Sequence, residues 1–165
     1  MVIRKSNIND FEAISRIFEK AKVYMRKNGN MLQWADGYPY PEIIKKDIET
    51  GVCHVCIEDN EIIGVFSLLD GPDPTYSLII GNGWLNNDEY GVIHRIAVGE
   101  NRRGVAGECI KYAQRFYDNI RIDTHRDNLP MRRFLSKHGF TECGIIFLEN
   151  GDERIAFHKE NAKTE

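Results

Sequence analysis

The stretch that decides the fold is Ile93-His-Arg-Ile-Ala-Val-Gly-Glu-Asn-Arg-Arg-Gly-Val-Ala-Gly-Glu-Cys-Ile110. It predicts a strand that ends at Val98, a short polar turn and then a helix. Unpaired backbone N–H groups and the positive end of the helix dipole meet at such a turn, which can therefore bind an anion. Arg102 and Arg103 add positive charge, and a diphosphate can approach three small residues closely: Gly104, Ala106 and Gly107. A turn that needs glycine only for its shape is the alternative.

Two common nucleotide sites are excluded by the same stretch. A nucleoside-triphosphate loop needs Gly-Lys-Ser or Gly-Lys-Thr, and neither occurs in the chain. The glycine spacing also fails to match the G-x-G-x-x-G fingerprint of dinucleotide-binding units.

The pattern on both sides of this stretch predicts the rest of the fold. Apolar residues at helical spacing predict a helix after the N-cap Asn9, a second from Pro41 to Gly51, a third over about 103–117 and a fourth from about 128 to Gly139. Strands are predicted over residues 2–5, 52–58, 62–69, 91–98, 120–124, 141–148 and 154–158, and residues 76–80 are predicted to be extended. This order predicts an α+β fold with a mixed, mostly antiparallel sheet of about six to seven strands flanked by helices.

Composition limits the class of protein. A chain of 165 residues predicts one domain, which we place over residues 1–160 with a short polar tail over 161–165. The net charge of −3 predicts no nucleic-acid partner, and no apolar run reaches the roughly 18 residues of a membrane span. We therefore expect a cytoplasmic protein without a membrane partner. Cys53 and Cys56 point to opposite faces of a predicted strand, so buried reduced thiols are favoured over a metal site or disulfides.

Two motifs resemble one enzyme family. The turn Asn101-Arg-Arg-Gly-Val-Ala106 resembles the Q/R-x-x-G-x-G/A turn of the GNAT superfamily of N-acetyltransferases, where it holds the pyrophosphate of acetyl-CoA. Asn101 departs from that pattern, in which Gln or Arg is usual. Asn128-Leu-Pro-Met-Arg-Arg-Phe-Leu-Ser-Lys-His-Gly-Phe140 is similar to the family's N-x-x-A-x-x-x-Y-x-K-x-G-F helix. The predicted element order is also similar, so the resemblance covers nearly the whole chain.

The resemblance implies acetyl-CoA as cosubstrate, without a metal. The pantetheine arm would lie between the strands that end at Val98 and near Thr124, which diverge like a V. It would pair with backbone of residues 96–98, and the Val98 N–H would polarise the thioester carbonyl. The coenzyme-binding residues so implied are Ile96, Val98, Arg103, Gly104, Val105, Ala106, Gly107, Asn128, Met131 and Phe134.

One departure affects the mechanism. The tyrosine that protonates the departing thiolate in many family members falls at Leu135 in this chain. Either another group or water supplies that proton, or the thiolate leaves without it.

His94 is the candidate general base, since acetyl transfer requires a neutral amine and His accepts a proton near neutral pH. In a regular strand its even separation from Val98 puts both side chains on one face, and a bulge would change this. The alternative is a structural hydrogen bond, for example to Asp123. His125, Glu89 and a water chain remain other candidate bases.

The aromatic segment Gln33-Trp-Ala-Asp-Gly-Tyr-Pro-Tyr40 is the candidate acceptor site. Trp34 and Tyr38 offer aromatic faces to a cationic amine, and Asp36 offers negative charge. A loop whose aromatic residues cover the core is the alternative. Glu89, with the loop around Trp84, is predicted to form the opposite wall.

These observations predict an enzyme that acetylates an amine of a small molecule or peptide by direct attack. A catalytically idle acyl-CoA-binding or sensor module on the same fold is the first rival, which Leu135 favours. An α+β interaction module without coenzyme is the second. The sequence leaves the acceptor and a homodimeric assembly open.

Overall fold

The computed structural model describes residues 1–100 and 102–162. Within them the strands are β1 (Val2–Lys5), β2 (Cys53–Glu58), β3 (Glu61–Asp70), β4 (Gly91–Val98), β5 (Asn119–Thr124), β6 (Thr141–Phe147) and β7 (Glu153–Glu160). The helices are α1 (Phe11–Lys27), α2 (Pro41–Glu49), α3 (Val105–Ala113) and α4 (Leu129–Lys137). Asn101 of the predicted phosphate turn and residues 163–165 of the predicted tail lie outside the described part of the chain.

The strands form one sheet in the order β1-β2-β3-β4-β5-β7-β6. Every neighbouring pair is antiparallel except β4 and β5, which are parallel. The predicted α+β fold with a mixed, mostly antiparallel sheet is confirmed. The parallel pairing joins Gly91 to Ile120 and Val92 to Arg121 and then stops. Beyond those pairs β4 and β5 diverge, which leaves a wedge-shaped gap in the middle of the sheet.

Helices cover both faces of the sheet because the strands alternate apolar side chains between them. One core contains Cys109 and Ile110 of α3 and Leu135 of α4, packed on the sheet. The other core contains Ile14 of α1 and Ile44 of α2. We call these the α3/α4 face and the α1/α2 face.

The cysteines follow this alternation. Cys56 belongs to the core of the α3/α4 face and Cys53 to that of the α1/α2 face, as predicted. All four cysteines are buried free thiols. In residues 1–100 and 102–162 no three His, Cys, Asp or Glu side chains gather in a way that could hold a metal ion.

A β-bulge in β4 changes which face its side chains occupy. Ala97 is opposite Val65 on β3, whereas His94 is opposite Ser67, so β4 contains one extra residue between these pairs. Arg95 takes a left-handed conformation there, with φ of 49°. His94 lies opposite Ser67, which bonds to α2, whereas the Val98 side chain packs in the α3/α4 core. The prediction that His94 and Val98 share a face is therefore wrong, because the extra residue reverses the alternation.

Three local predictions need correction. Asn7, not Asn9, caps the first helical segment, because a 3₁₀ turn over Ile8–Asp10 precedes α1 and the Asn7 side chain accepts a hydrogen bond from the Asn9 N–H. Helix α3 ends at Ala113 rather than near residue 117. Residues 76–80 do not form a strand: a 3₁₀ turn covers Pro74–Tyr76, and only an isolated bridge joins Ile80 to β6.

No helix among the described residues is both long and apolar enough to cross a membrane.

Candidate active site

A cleft of about 660 Å³ occupies the gap between β4 and β5. Three consecutive residues of β5, Ile122, Asp123 and Thr124, all line it. Since neighbouring residues of a strand project to opposite faces, a cleft that touches all three passes through the sheet. The cleft therefore opens on the α3/α4 face and on the α1/α2 face.

The backbone of β4 offers a hydrogen-bond donor to this gap. The Gly99 N–H donates to the Ile63 carbonyl on β3 at 2.8 Å. N–H groups alternate in direction along an antiparallel pair, so the Val98 N–H points away from β3, toward the gap beside β5. This is the orientation that polarisation of a carbonyl in the gap requires. The side chains of Ile96 and Val98 pack against the core of the α3/α4 face, and Ile96 also lines the cleft.

A second cavity, of about 430 Å³, lies at the start of α3. Gly104 is the N-cap residue with φ of 80°, and apart from its chain neighbours no heavy atom of residues 1–100 or 102–162 lies within 4 Å of the position that a Cβ would occupy there. Among the described residues no side chain caps the helix, so the N–H groups of its first turn are available to an anion. Arg102, Arg103 and Val105 also line the cavity.

Some of the predicted phosphate-binding residues line this second cavity and others do not. Arg103, Gly104 and Val105 line the cavity, whereas Ala106 and Gly107 lie outside its lining. Gly107 instead faces α4, where an added Cβ would lie 3.1 Å from Nε2 of His138. Arg102 is bound to the Glu58 carboxylate at 3.0 Å, which leaves Arg103 as the arginine not engaged in an ion pair with another described residue.

Helix α4 borders the cleft through its first turn. Asn128 is the N-cap residue: its Oδ1 accepts a hydrogen bond from the Met131 N–H at 3.3 Å, and Met131 lines the cleft. Phe134 lies outside the cleft lining and packs against His138, with ring centroids 4.0 Å apart and the ring planes tilted by 34°. Leu135 is fully buried in the α3/α4 core.

His94 lies where the cleft meets the α1/α2 face. Its Nε2 is 2.7 Å from Oδ2 of Asp73, and its Nδ1 is 3.8 Å from Oδ2 of Asp123. Tyr76 donates a hydrogen bond of 2.7 Å to the same Asp123 oxygen. His94, Asp73 and Asp123 all line the cleft.

The protonation of the Asp73 carboxyl determines which imidazole nitrogen carries hydrogen. Burial alone would raise its pKa, but hydrogen bonds from His94 and Thr75 outweigh burial and lower that pKa to about 2. Asp73 is therefore an anion and can only accept, so Nε2 of neutral His94 is the protonated nitrogen. Nδ1 then keeps its lone pair. Burial, together with the negative charge of Asp123, raises the pKa of Tyr76 well above its usual value, so its hydroxyl remains a donor.

The aromatic segment forms a further wall of the cleft. Trp34 lines the cleft and also packs edge-on against Phe18 of α1, at 5.5 Å between ring centroids. Trp34 therefore forms part of the cleft wall and also covers the core, the two alternatives that the sequence left open. Asp36 is exposed at the cleft, and the Tyr38 hydroxyl accepts a hydrogen bond of 3.1 Å from Arg95.

Two arginines hold this segment in place. Arg26 of α1 donates to two of its backbone carbonyls, those of Gln33 and Trp34, and to the carbonyl of Asn30 just before it. Arg95, at the bulge, binds the Asp47 carboxylate of α2 with two hydrogen bonds, of 2.6 and 3.0 Å, as well as Tyr38. The bulge therefore aims Arg95 at the α1/α2 face, where it joins α2 to the aromatic segment.

Glu89 is not brought to the cleft, so its predicted place in the opposite wall is wrong. It is exposed just before β4, and its carbonyl accepts a hydrogen bond from Asn119 at the paired end of β4 and β5. That end lies opposite the divergent end of the two strands. The far wall is formed instead by the β6–β7 turn, with Glu149, Asp152 and Arg154.

Several residues that line the cleft were not predicted as site residues, among them Asp73 from a loop, Thr124 at the end of β5 and Arg154 of β7. Asp73 lies in a Gly-Pro-Asp-Pro loop that signals only a turn. Thr124 is the last residue of the predicted strand over 120–124, beside the predicted gap, and this position was the signal that could have identified it.

The comparisons with known proteins agree with this geometry. A model of the acetyltransferase (GNAT) family matches residues 13–140. The chain belongs to the GNAT family. A GNAT family acetyltransferase from Streptococcus agalactiae is similar in structure, with a TM-score of 0.89 and 31% identity over 98% of this chain and 96% of that one. No curated protein matches the chain.

More distant GNAT structures share the fold. A ribosomal-protein-alanine N-acetyltransferase from Brucella melitensis has a TM-score of 0.63 and 16% identity over 97% of this chain and 99% of that chain. A chain of the NatC complex, solved with Gag peptide and CoA, has a TM-score of 0.64 and 15% identity, over 98% of each chain. At this identity the two structures support the fold alone.

Proposed function

We propose that this GNAT protein is an acetyl-CoA-dependent N-acetyltransferase that acetylates a primary amine of a small molecule or peptide by direct attack. The observation that carries the proposal is the position of His94. It lies in a cleft that crosses the sheet, between two carboxylates, at a point where a base can meet an amine. We also propose a cytoplasmic location, since four buried free thiols are typical of reducing compartments.

The described residues fit the coenzyme. Gly104 leaves open space beside uncapped N–H groups, and Arg103 supplies positive charge, which together suit a diphosphate. The gap lined by Ile96, Ile122 and Met131 suits an apolar arm, and the Val98 N–H points into that gap. When bound, acetyl-CoA supplies an acetyl group activated as a thioester. Val98 then stabilises the negative charge that develops on the carbonyl oxygen.

His94 accepts the proton that the amine loses. Its Nε2–H donates to Asp73, which fixes the tautomer and leaves the Nδ1 lone pair as the base. When Nδ1 takes up the proton, the imidazolium lies beside the Asp73 anion and 3.8 Å from an Asp123 oxygen. Tyr76 holds Asp123 in place through the hydrogen bond to that oxygen.

The cleft on the α1/α2 side suits a cationic acceptor. Acidic side chains there come from three separate loops, with Asp36, Asp73 and Asp152 among them. Trp34 adds an aromatic face. Before deprotonation the ammonium form of an amine is attracted to this charge, so the acceptor arrives close to the base.

Turnover tests the proposal directly. The protein is incubated with acetyl-CoA and a panel of amines, including diamines and peptides with free N-termini, and release of the coenzyme thiol is followed. We expect amine-dependent release that is reduced in His94→Gln. Coenzyme binding in a thermal-shift titration without release by any amine would instead support the idle acyl-CoA-binding module, which the buried Leu135 favours.

A further inference from the structure

We propose that the hydroxyl of Thr124 donates a hydrogen bond to the coenzyme sulfur as it leaves, taking the place of the tyrosine that Leu135 replaces. This inference rests on the proposed acetyl transfer. It assigns a contact with a reacting atom to a side chain at the end of β5.

The Thr124 hydroxyl lacks a partner in the described part of the chain. Thr124 is 1% exposed, and its Oγ1 is a buried oxygen that makes no hydrogen bond with any residue of 1–100 or 102–162. Its backbone belongs to the ladder with β7, opposite Ile155. A buried hydroxyl without a partner is unfavourable, and a catalytic role is one of the recognised reasons why a protein retains such a group.

Thr124 lies on the side of the sheet where the arm of the coenzyme fits. It lines the cleft and projects to the same face as Ile122, two residues earlier, which belongs to the α3/α4 core together with Leu135. Asp123 projects to the other face, toward His94. The hydroxyl and the base therefore lie on opposite sides of the gap in which transfer takes place.

Other hydroxyls near the cleft are already engaged or lie on the wrong face. Tyr76 donates to Asp123, and Thr75 donates to Asp73. Tyr38 and Tyr40 belong to the aromatic segment over the α1/α2 face. Among the described residues that line the α3/α4 side of the cleft, Thr124 is the one with a hydroxyl.

The step balances without a further reactant. The amine nitrogen forms a bond to the carbonyl carbon, the carbon–sulfur bond breaks, and its electron pair remains on sulfur. Nδ1 of His94 takes the proton that the amine loses. Thr124 keeps its own proton and stabilises the thiolate through the hydrogen bond, and solvent protonates the thiolate after release.

The test measures the thiol of bound CoA rather than turnover alone. Thiolate absorbs in the ultraviolet, so a pH titration of the CoA complex gives the pKa of the bound thiol. We expect the isosteric Thr124→Val to raise that pKa by about one unit, a tenfold weaker stabilisation of the thiolate, and Thr124→Ser to restore the wild-type value. Desulfo-CoA, which lacks the sulfur, should bind wild type and Thr124→Val equally.

The outcomes separate the two proposals. An equal thiol pKa in wild type and Thr124→Val overturns the role of Thr124 and leaves the proposed function intact. Weaker binding of desulfo-CoA by Thr124→Val also overturns it, because Thr124 would then contact another part of the coenzyme. A wild-type protein that binds CoA, shows the Thr124 dependence and acetylates no amine contradicts the proposed function alone. A wild-type protein that binds no CoA overturns both.

Discussion

The side-chain amide of Asn128 donates a hydrogen bond of 3.0 Å to Oε1 of Gln33, 95 residues earlier in the chain. Asn30 donates to the same oxygen at 2.8 Å. These three buried side chains connect the aromatic segment, which forms a wall on the α1/α2 side of the cleft, to the first turn of α4 on the α3/α4 side. These hydrogen bonds fix the position of the aromatic segment relative to the first turn of α4.

Asn128→Ala removes both the N-cap of α4 and the hydrogen bond to Gln33. We expect it to lower the free energy of unfolding by about 2 kcal/mol. Asn128→Asp keeps an oxygen that can cap the helix but loses the donor toward Gln33, so a smaller loss is expected. Urea denaturation of both variants measures the difference. Equal losses would show that the cap contributes nothing.

His94→Gln keeps a polar side chain but removes the proposed base. We expect kcat to fall by about a hundredfold or more and the acidic limb of the pH–rate profile to flatten. Asp73→Asn removes the anion that fixes the Nε2–H tautomer and stabilises the imidazolium, so it should also lower kcat. Steady-state kinetics across pH measure both effects. A limb unchanged in His94→Gln would remove His94 from the mechanism.

Gly104→Glu places a carboxylate where the diphosphate is proposed to bind. We expect CoA affinity to fall by about a hundredfold through steric and charge repulsion. Gly29→Glu is the matched control, because Gly29 has a similar φ, of 81°, and also has open space around its Cβ position. Both variants bear similar backbone strain, so thermal melting should show similar losses of stability. Titration calorimetry with CoA should detect a loss in Gly104→Glu alone.

His158 should make stability depend on pH. Burial and the positive charge of Arg121 lower its pKa to about 4, from 6.5. Its Nδ1 accepts from the Leu85 N–H, and its Nε2 is 2.9 Å from the side-chain Oδ1 of Asn119, an arrangement that requires the neutral ring. The unfolded chain binds this proton more readily, so stability falls as pH decreases from 6.5 toward 4, by up to about 3 kcal/mol.

His158→Gln tests this dependence, because glutamine does not titrate in that range. Unfolding by urea at several pH values should show a flatter dependence in the variant than in wild type. A difference between wild type and variant that stays constant with pH would contradict the assignment. Burial also lowers the pKa of His54 and of His125, so a residual slope of the same sign is expected in the variant.

The elements of the fold that could be predicted from sequence are those that depend on residues close together in the chain. The strand that ends at Val98 and the helix that follows Gly104 are such elements, and both are confirmed, although the helix ends at Ala113. The element order then restricts the topology, because short connections favour antiparallel neighbours. The two GNAT motifs added the expectation that the arm of the coenzyme lies in the gap between β4 and β5.

The remainder depends on contacts between distant residues. The bulge falls at Arg95, although Gly and Asn are the residues that adopt a left-handed conformation most easily. The bulge is stabilised by the ion pair of Arg95 with Asp47 of helix α2. Asp73 meets His94 across 21 residues of chain, and nothing in its own loop indicates this contact. The orphaned hydroxyl of Thr124 can be recognised only once its neighbours are known.

The pairing of β4 and β5 stops after two residue pairs, and this affects the order in which substrates can bind and products can leave. Under the proposed function, an opening that penetrates the whole sheet gives each substrate its own entrance, and neither blocks the path of the other. Both can be present together, and each product can depart on the side from which its precursor came. Initial-rate plots at several fixed concentrations of the second substrate are therefore expected to intersect rather than run parallel.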